Sequence, residues 1–407
     1  MKKRILLVGN INGAYRSQLL IKILTDYRPP DSAYAISLVS DVFYMPYSKS
    51  KKFSTKVLRR IKAYCAPIIS IFELIFKIPF CNVVYVLPMN HHWFLKVYLV
   101  NMLWHKPILT DLYISIYDTG LDKGWYETKS EIKRKYPRLR AKYHLFLDKL
   151  IIEKSTRVLH QAQFELEHIA KLVGARLNKS MVRILPLGVY PKKLASPKKS
   201  NIFRICWWGT WIPVHGLDII LYAMKILLSK KNIKNIKLDL FGIPGEAGEP
   251  YKKIINEHNL INCVTIHTDK FFSNGKLEEY LTTKCDLALG IFGRSKKAQN
   301  AISNKVIDAF SMRLPVLTMD KPALKEFIDT ENELFVCRNS PMDIAKNIIR
   351  IMNDKAERKR RAKLGYQRYL KTFTPEQFAW KILRVIDEVT AKGEDRLIKL
   401  KNGVERK

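Results

Sequence analysis

Short apolar runs alternate with stretches of helical period along most of the chain. Arg4–Gly9 holds ILLV, Asn82–Leu87 reads NVVYVL and Pro107–Asp111 reads PILTD; Thr156–His160 and Val182–Val189 follow. The second half repeats the pattern in Phe203–Trp208 (FRICWW), Lys237–Phe241, Val264–His267, Leu287–Phe292 and Pro315–Met319. Compact apolar runs closed by Gly, Pro, Asn or Asp fit strands buried on both faces. Between them, apolar residues fall three and four apart. Leu19, Leu20, Ile23 and Leu24 do so in Tyr15–Tyr27, and Leu217, Ile220, Leu221, Met224, Leu227 and Leu228 do so after Gly216. That spacing builds one helix face. Trp93–Trp104, His144–Glu153, Gln163–Val173, Tyr251–His258, Asn274–Thr283 and Pro341–Met352 read as further helices. Strand, helix, strand, repeated twice over, predicts an α/β chain of two doubly wound parallel sheets.

Tyr190–Asn201 (YPKKLASPKKSN) has a linker's composition and marks the domain boundary. The expected organisation is a first Rossmann-like domain over 1–192 and a second over 200–370. Thr374-Pro-Glu-Gln377 is a capping box that opens a helix over 374–390, with Phe378, Ile382, Val385, Ile386 and Val389 on one side. A charged tail over 391–407 is expected to be disordered.

Length and a hydrophobic fraction of 47% over 407 residues suit two or three globular domains, but the net charge of +35 is unusual. It favours an anionic partner (nucleic acid, acidic lipid or a phosphorylated substrate), or else reflects a lysine-rich proteome. The cations are spread over both halves and no nucleic-acid module is recognisable, so nucleic acid is not the expected partner. Ser48–Lys62 carries seven Lys or Arg and no acid, with Phe53, Val57, Leu58 and Ile61 at helical spacing. This is the pattern of a helix lying on an anionic membrane surface. Ala66–Phe80 is apolar but holds Glu73 and Lys77, too short and charged to span; it is either a core helix or an interfacial patch. Lys123–Lys142 is basic and dotted with aromatics, and reads as a long loop. The six cysteines form no C-x-x-C pair, and the histidines show no ligand spacing. No metal or other cofactor is expected. With no signal or spanning segment in view, the protein is expected to be cytoplasmic, with possible peripheral contact to the inner membrane face.

The candidate chemistry centres on Cys285–Glu326. A strand ends in a basic loop with Arg294 and Lys297, and a helix begins near Lys305, capped by Ser303 or Asn304. Open helix N-termini attract anions, and Lys305 in the first turn opposes the helix dipole unless an anion offsets it. The alternatives are a phosphate site and a solvated lysine. At the carboxyl ends of first-domain strands, Asp111, Ser115, Tyr117 and Asp118 are acceptor-side candidates, and Gly13 sits in the first strand–helix turn. Gly242, with Gly245 and Gly248, permits close approach of a base or ribose.

GIFGRSKKAQNAISNKVIDAFSMRLPVLT resembles the donor segment of retaining nucleotide-sugar glycosyltransferases of the GT-B fold, family four or group 1 type. There a Lys is followed three positions on by an acid, here Lys305 and Asp308. Gly209–Asp218 resembles a branch that reads G-T-x-I-P-x-H-G; Thr210 and His215 stand where most of the family has Arg and Lys, while Gly209 and Gly216 match. Asn300 stands where the family's first glutamate would be. The segment S-x-Y-D-T over Ser115–Thr119 matches as well.

The resemblance implies two domains facing a cleft and a nucleotide-diphosphate sugar as donor substrate. It implies donor contacts from Gly209, Thr210, His215, Gly216, Gly242, Arg294, Lys297, Asn304 and Asp308. Lys305, Asp118 and Asp111 are the candidate catalytic groups, and Gly13, Ser115 and Tyr117 lie on the acceptor side. The implied activity is metal-independent transfer with retention to a glycan or polyprenyl-diphosphate-linked acceptor, in cell-surface polysaccharide or glycolipid synthesis. The alternatives are an inactive nucleotide-binding scaffold of the same fold and a basic nucleic-acid-binding protein.

Overall fold

The computed structural model describes residues 3–11, 14–26, 34–39, 68–127, 136–196, 200–230 and 235–404, the side chains of 392–404 excepted. Gly13, Ser48–Lys62 and residues 128–135 of the basic loop lie outside the described residues. The chain divides into two compact units: 1–161 with 166–185 and 378–407, and 162–165 with 186–377.

Unit 1 runs β1 (Lys3–Val8), α1 (Tyr15–Asp26), β2 (Tyr34–Val39), α2 (68–77), β3 (Val83–Val86), α3 (His91–Asn101), β4 (Ile108–Asp111), α4 (Ile116–Asp122), α5 (Pro137–Lys154), β5 (Arg157–His160), α6 (Gln163–Leu172) and β6 (Val182–Ile184). The first residues of α6 belong to unit 2. The six strands are parallel in the order β2-β1-β3-β4-β5-β6. β3, β4 and β5 are buried on both faces, as the unbroken apolar runs require. β2 was not legible in the sequence, where Ser37 breaks its apolar run. Its register with β1, from Lys3↔Tyr34 to Val8↔Val39, supplies what the pattern lacked. The expected loop over Lys123–Lys142 is cut short: α5 opens at Pro137, before the apolar positions that marked His144–Glu153.

Unit 2 runs β7 (Phe203–Trp208), α7 (Leu217–Leu228), β8 (Ile236–Phe241), α8 (Glu249–Glu257), β9 (Val264–His267), α9 (Lys276–Lys284), β10 (Leu287–Leu289), α10 (Lys296–Asn300), α11 (Asn304–Ser311), β11 (Val316–Met319), α12 (Pro322–Lys325), β12 (Phe335–Cys337), α13 (Pro341–Asn353) and α14 (Lys355–Thr372). Its six parallel strands are ordered β12-β11-β10-β7-β8-β9. Alternation divides the core: Ile205, Trp207, Leu238 and Leu240 pack with α7 and α13, whereas Cys206, Trp208 and Phe241 pack with α11 and Tyr369 of α14. Each large side chain so buried contributes about 1.5–3 kcal/mol before entropy. Nothing in the sequence pattern announced α14, because it buries only Ala362, Gly365 and Tyr369 on an otherwise charged helix.

The last helix, α15 (Pro375–Val404), packs in unit 1 through Phe378, Ile382, Val385, Ile386 and Val389. Thr374 Oγ1 accepts from the Gln377 N–H, as a cap should. The helix continues to Val404, so the tail expected to be disordered is helical over most of its length.

Candidate functional site

In unit 2 the strand order reverses between β7 and β10. Doubly wound sheets receive ligands outside the carboxyl ends of the strands at such a point. Gly209 follows β7 and Gly290 follows β10, so the two loops singled out in the sequence leave the sheet side by side. They interlock: the Phe292 N–H donates to the His215 carbonyl, and a Cβ on Gly216 would lie 2.3 Å from the Phe292 carbonyl carbon. Gly216 has φ +66, Gly209 φ +140. Gly216→Ala is expected to cost about 1–3 kcal/mol, from left-handed strain and displaced backbone together. A lowered melting temperature with weakened nucleotide binding is the expected readout.

Lys305 is not a solvated lysine. Ser303 caps α11 by accepting the Lys305 N–H, and the Lys305 side chain turns inward, 7% exposed. Its Nζ lies 5.1 Å from the centre of the Trp207 ring, and a Cβ on Gly209 would come within 2.8 Å of it. Lys321, which the sequence reading passed over, is 2% exposed, with Nζ 3.5 Å from the Ala298 carbonyl oxygen. Burial pulls both ammonium groups down to about 7, Lys305 helping to depress Lys321. Glu165 works against this at Lys321, and Asp308 at Lys305. Glu326 brings the Glu165 segment into place: its carboxylate accepts the N–H groups of Gln163 and Phe164, each at 2.7 Å. One signal in the sequence could have revealed Lys321. It comes two residues after a parallel strand ends, where site residues gather.

His215 joins these lysines. Burial, then Lys305 and Lys321, push its imidazole down to about 3. Its Nδ1 is 2.6 Å from the Thr210 carbonyl oxygen, an atom that only accepts, so Nδ1 carries the proton. Neutral His215 therefore offers a lone pair at Nε2. It donates to an anion from Nε2 only after gaining a second proton. Thr210 itself contributes its carbonyl, its side chain being exposed.

Asp308 lies one turn along α11 from Lys305. Burial raises its carboxyl to about 6, against the opposing pull of Lys192, Trp208 and Lys305. Gly242 follows β8 with φ +137, and a Cβ there would meet the Gly209 carbonyl oxygen at 2.4 Å. Arg294 is 67% exposed at its side chain and pairs with Asp218 at 2.6 Å, so it is a surface group. The basic loop contains α10, which Ser295 caps and which carries Lys297, half-buried; Asn304 is exposed at the start of α11.

In unit 1 the acceptor-side candidates fall into two networks. Asp111 is enclosed: Oδ2 accepts from Arg16 Nε at 2.7 Å and from the Tyr85 hydroxyl at 3.2 Å. Burial nevertheless holds its carboxyl above the usual range. This is a structural ion pair, and it does not present Asp111 as an acid or base at the surface. Ser115 caps α4, accepting the Asp118 N–H and donating to Asp148 Oδ2 at 2.6 Å. Asp148 also accepts the Tyr117 N–H, and His91 Nε2 lies 3.3 Å from its Oδ1. Burial, with His92, lowers His91 to about 4. Asp118 is 8% exposed. Arg16, Asp148 and His91 were missed because each becomes meaningful only through a partner distant in sequence.

Residues 190–369 match the family model described as glycosyl transferases group 1. No curated protein sequence matches the chain. Solved structures do. Anabaena Alr3699/HepE in complex with UDP and glucose has a TM-score of 0.66 at 12% identity, covering 95% of this chain and 100% of that one. Sucrose-phosphate synthase from Thermosynechococcus elongatus has a TM-score of 0.66 at 15% identity, covering 96% and 100%. A glycosyltransferase from Rickettsia africae has a TM-score of 0.63 at 15% identity, covering 95% and 98%. The chain has the GT-B fold of glycosyltransferases, with a second unit that matches the group 1 family over residues 190–369.

Proposed function

We propose that the protein is a glycosyltransferase that takes its sugar from a nucleotide-diphosphate sugar held in unit 2. The observation that carries this reading is the pairing of two ammonium groups, Lys305 and Lys321, both buried, beside the carboxyl ends of β7 and β10, with neutral, half-buried His215 next to them. Buried like charges raise one another's energy, and a dianionic diphosphate is the group whose arrival relieves them. The cations then stand where charge builds on the departing diphosphate as the anomeric carbon becomes oxocarbenium-like. Asp308, at the position the family motif assigns to an acid, serves the ribose or the sugar. The finer reading is transfer with retention and without a metal, to a glycan or polyprenyl-diphosphate-linked acceptor at the inner membrane face. Asp118 is the acceptor-side candidate. The similar Anabaena Alr3699/HepE structures are complexes with UDP and glucose and with UDP-glucose, which makes UDP the first nucleotide to test.

The test is calorimetric binding of UDP, GDP and ADP across pH. Lys305 and Lys321 lose protons in the free protein near pH 7, and a bound diphosphate holds those protons. Affinity is therefore expected to fall between pH 7 and 8.5, by up to tenfold per pH unit for each lysine, with proton uptake on binding. A phosphate's own second ionisation, near pH 6, is complete across that window and does not mask the trend. Flat affinity across it, or no binding of any nucleoside diphosphate, overturns the assignment. Binding without transfer to any acceptor would favour the inactive scaffold.

A further inference from the structure

The composition of Tyr190–Asn201 is that of a linker, but its first residues are fastened to unit 2. The Val189 N–H donates to the Phe373 carbonyl at 2.8 Å, and the Tyr369 hydroxyl donates to the Val189 carbonyl at 2.8 Å. Four residues on, the Lys193 N–H donates to the Glu278 carboxylate on α9. A segment pinned at both ends has lost most of the freedom a linker needs. Lys192 lies within this strap, half-buried, while Lys193 leaves its side chain in water. The Lys192 Nζ stands 4.1 Å from the centre of the Phe272 ring, in the turn between β9 and α9. An ammonium so placed is attracted to the ring face and needs no carboxylate of its own.

From Phe272 the contacts lead to the donor site. Its ring meets the Trp208 indole edge to face, with centres 6.4 Å apart at 89°. Trp208 ends β7, is buried and shares a core layer with Val306, Ile307 and Phe310 of α11. Asp308 is on α11, one turn past Lys305. Four segments distant in sequence thus converge on one carboxylate: the strap, β7, the β9–α9 turn and α11. The Trp208 indole N–H is buried with no acceptor in hydrogen-bond distance. Burial raises the Asp308 carboxyl; Lys192, then the Trp208 indole, then Lys305 oppose it. The charged groups acting on Asp308 are therefore Lys192 from the strap and Lys305 from its own helix. The strap lysine acts more strongly than the one a single turn away.

We propose that Lys192 is a positioning residue of the donor site: held on the Phe272 ring beside Trp208, its ammonium orders the Asp308 carboxylate that receives the ribose hydroxyls. This role rests on the donor-site reading above, with Asp308 at the ribose. Removing Lys192 lets Asp308 hold its proton to higher pH. Binding that needs the ionised carboxylate therefore suffers most in acid. Calorimetry with UDP-, GDP- and ADP-glucose, whose bridged phosphates have no second ionisation, is run on the full chain from pH 5.5 to 8. Lys192→Met is expected to bind about three- to tenfold more weakly at pH 5.5, and within about twofold of wild type at pH 8. Lys305 and Lys321 titrate in both proteins, so they leave the ratio unchanged. Lys192→Arg is expected to bind like wild type, as is Lys193→Met. Without ligand, Lys192→Met is expected to melt lower at pH 7.5, where Asp308 is ionised. That loss should shrink toward pH 5 and vanish in an Asp308→Asn background. A binding loss that is equal across the pH range, or a melting loss that ignores Asp308, overturns the role of Lys192. If none of the three sugars binds wild type, the donor-site reading falls and this role with it. If one binds wild type and Lys192→Met alike at every pH, only the role of Lys192 falls.

Discussion

Methionine in place of Lys305 is expected to reduce sugar transfer about 10²–10³-fold while leaving the protein folded and more stable. The loss follows from removing one preorganised cation from the site of developing negative charge. The gain follows from burial. Lys305 has a folded-state value of about 7, far below the ordinary lysine range near 10.4. Below pH 7 the ammonium is charged in both states, and folding bears the full cost of desolvating it. Between pH 7 and about 10 the folded state sheds the proton while the unfolded state keeps it, so the cost recedes as pH rises. Methionine retains the unbranched stem against Trp207 and carries no charge. Lys305→Met should therefore melt higher than wild type at pH 6.5, with the difference closing by pH 10. Lys321→Met is expected to behave alike in melting and to weaken nucleotide binding. A lysine that only packs would show the stability gain with normal transfer, and that result would remove Lys305 from the mechanism.

Methionine at Arg16 is expected to have the opposite character, a large loss of stability in unit 1. The guanidinium holds Asp111 by Nε, donates from NH1 to the Leu185 carbonyl at 2.7 Å, and lies about 5 Å from the rings of Tyr113 and Phe378. Side-chain exposure of the pair is 0% and 1%. Removing one partner of a buried pair leaves an uncompensated charge, at a cost of about 3–5 kcal/mol. A melting temperature lower by about 10 °C would follow for a unit of this size. Asp111 already sits above its ordinary range through burial, and losing Arg16 raises it further. The destabilisation is thus greatest at neutral pH and shrinks as the solution is acidified and Asp111 takes up a proton. Asp111→Asn in the Arg16→Met background should recover much of the loss at pH 7. If Arg16→Met instead melts like wild type but fails to transfer sugar, Arg16 and Asp111 belong to the chemistry after all.

The residues legible beforehand share one property. Gly209, Gly216, Lys305 and Asp308 each answer to a neighbour within a few positions: a strand end, a left-handed turn, a capped helix and the next turn of that helix. The residues that were not legible answer to distant partners. Lys321 becomes a site cation through Glu165 and Lys305, Asp148 matters through Ser115 and His91, and Arg16 through Asp111, 95 positions away. Arg294 shows the converse: a basic loop residue that fits a phosphate site by composition, and that the fold turns outward onto Asp218.

By itself the sequence determined the two parallel sheets except for strands such as β2, most of the helices that clothe them, and the loop that opens α11. Apolar runs, helical period and capping residues act over a few positions and need no tertiary information. Only the tertiary structure decided which charged side chains are buried, because the cost of desolvating a charge depends on what surrounds it, not on what precedes it. That cost is what sets Lys305, Lys321 and His215 apart from the many lysines that remain in water.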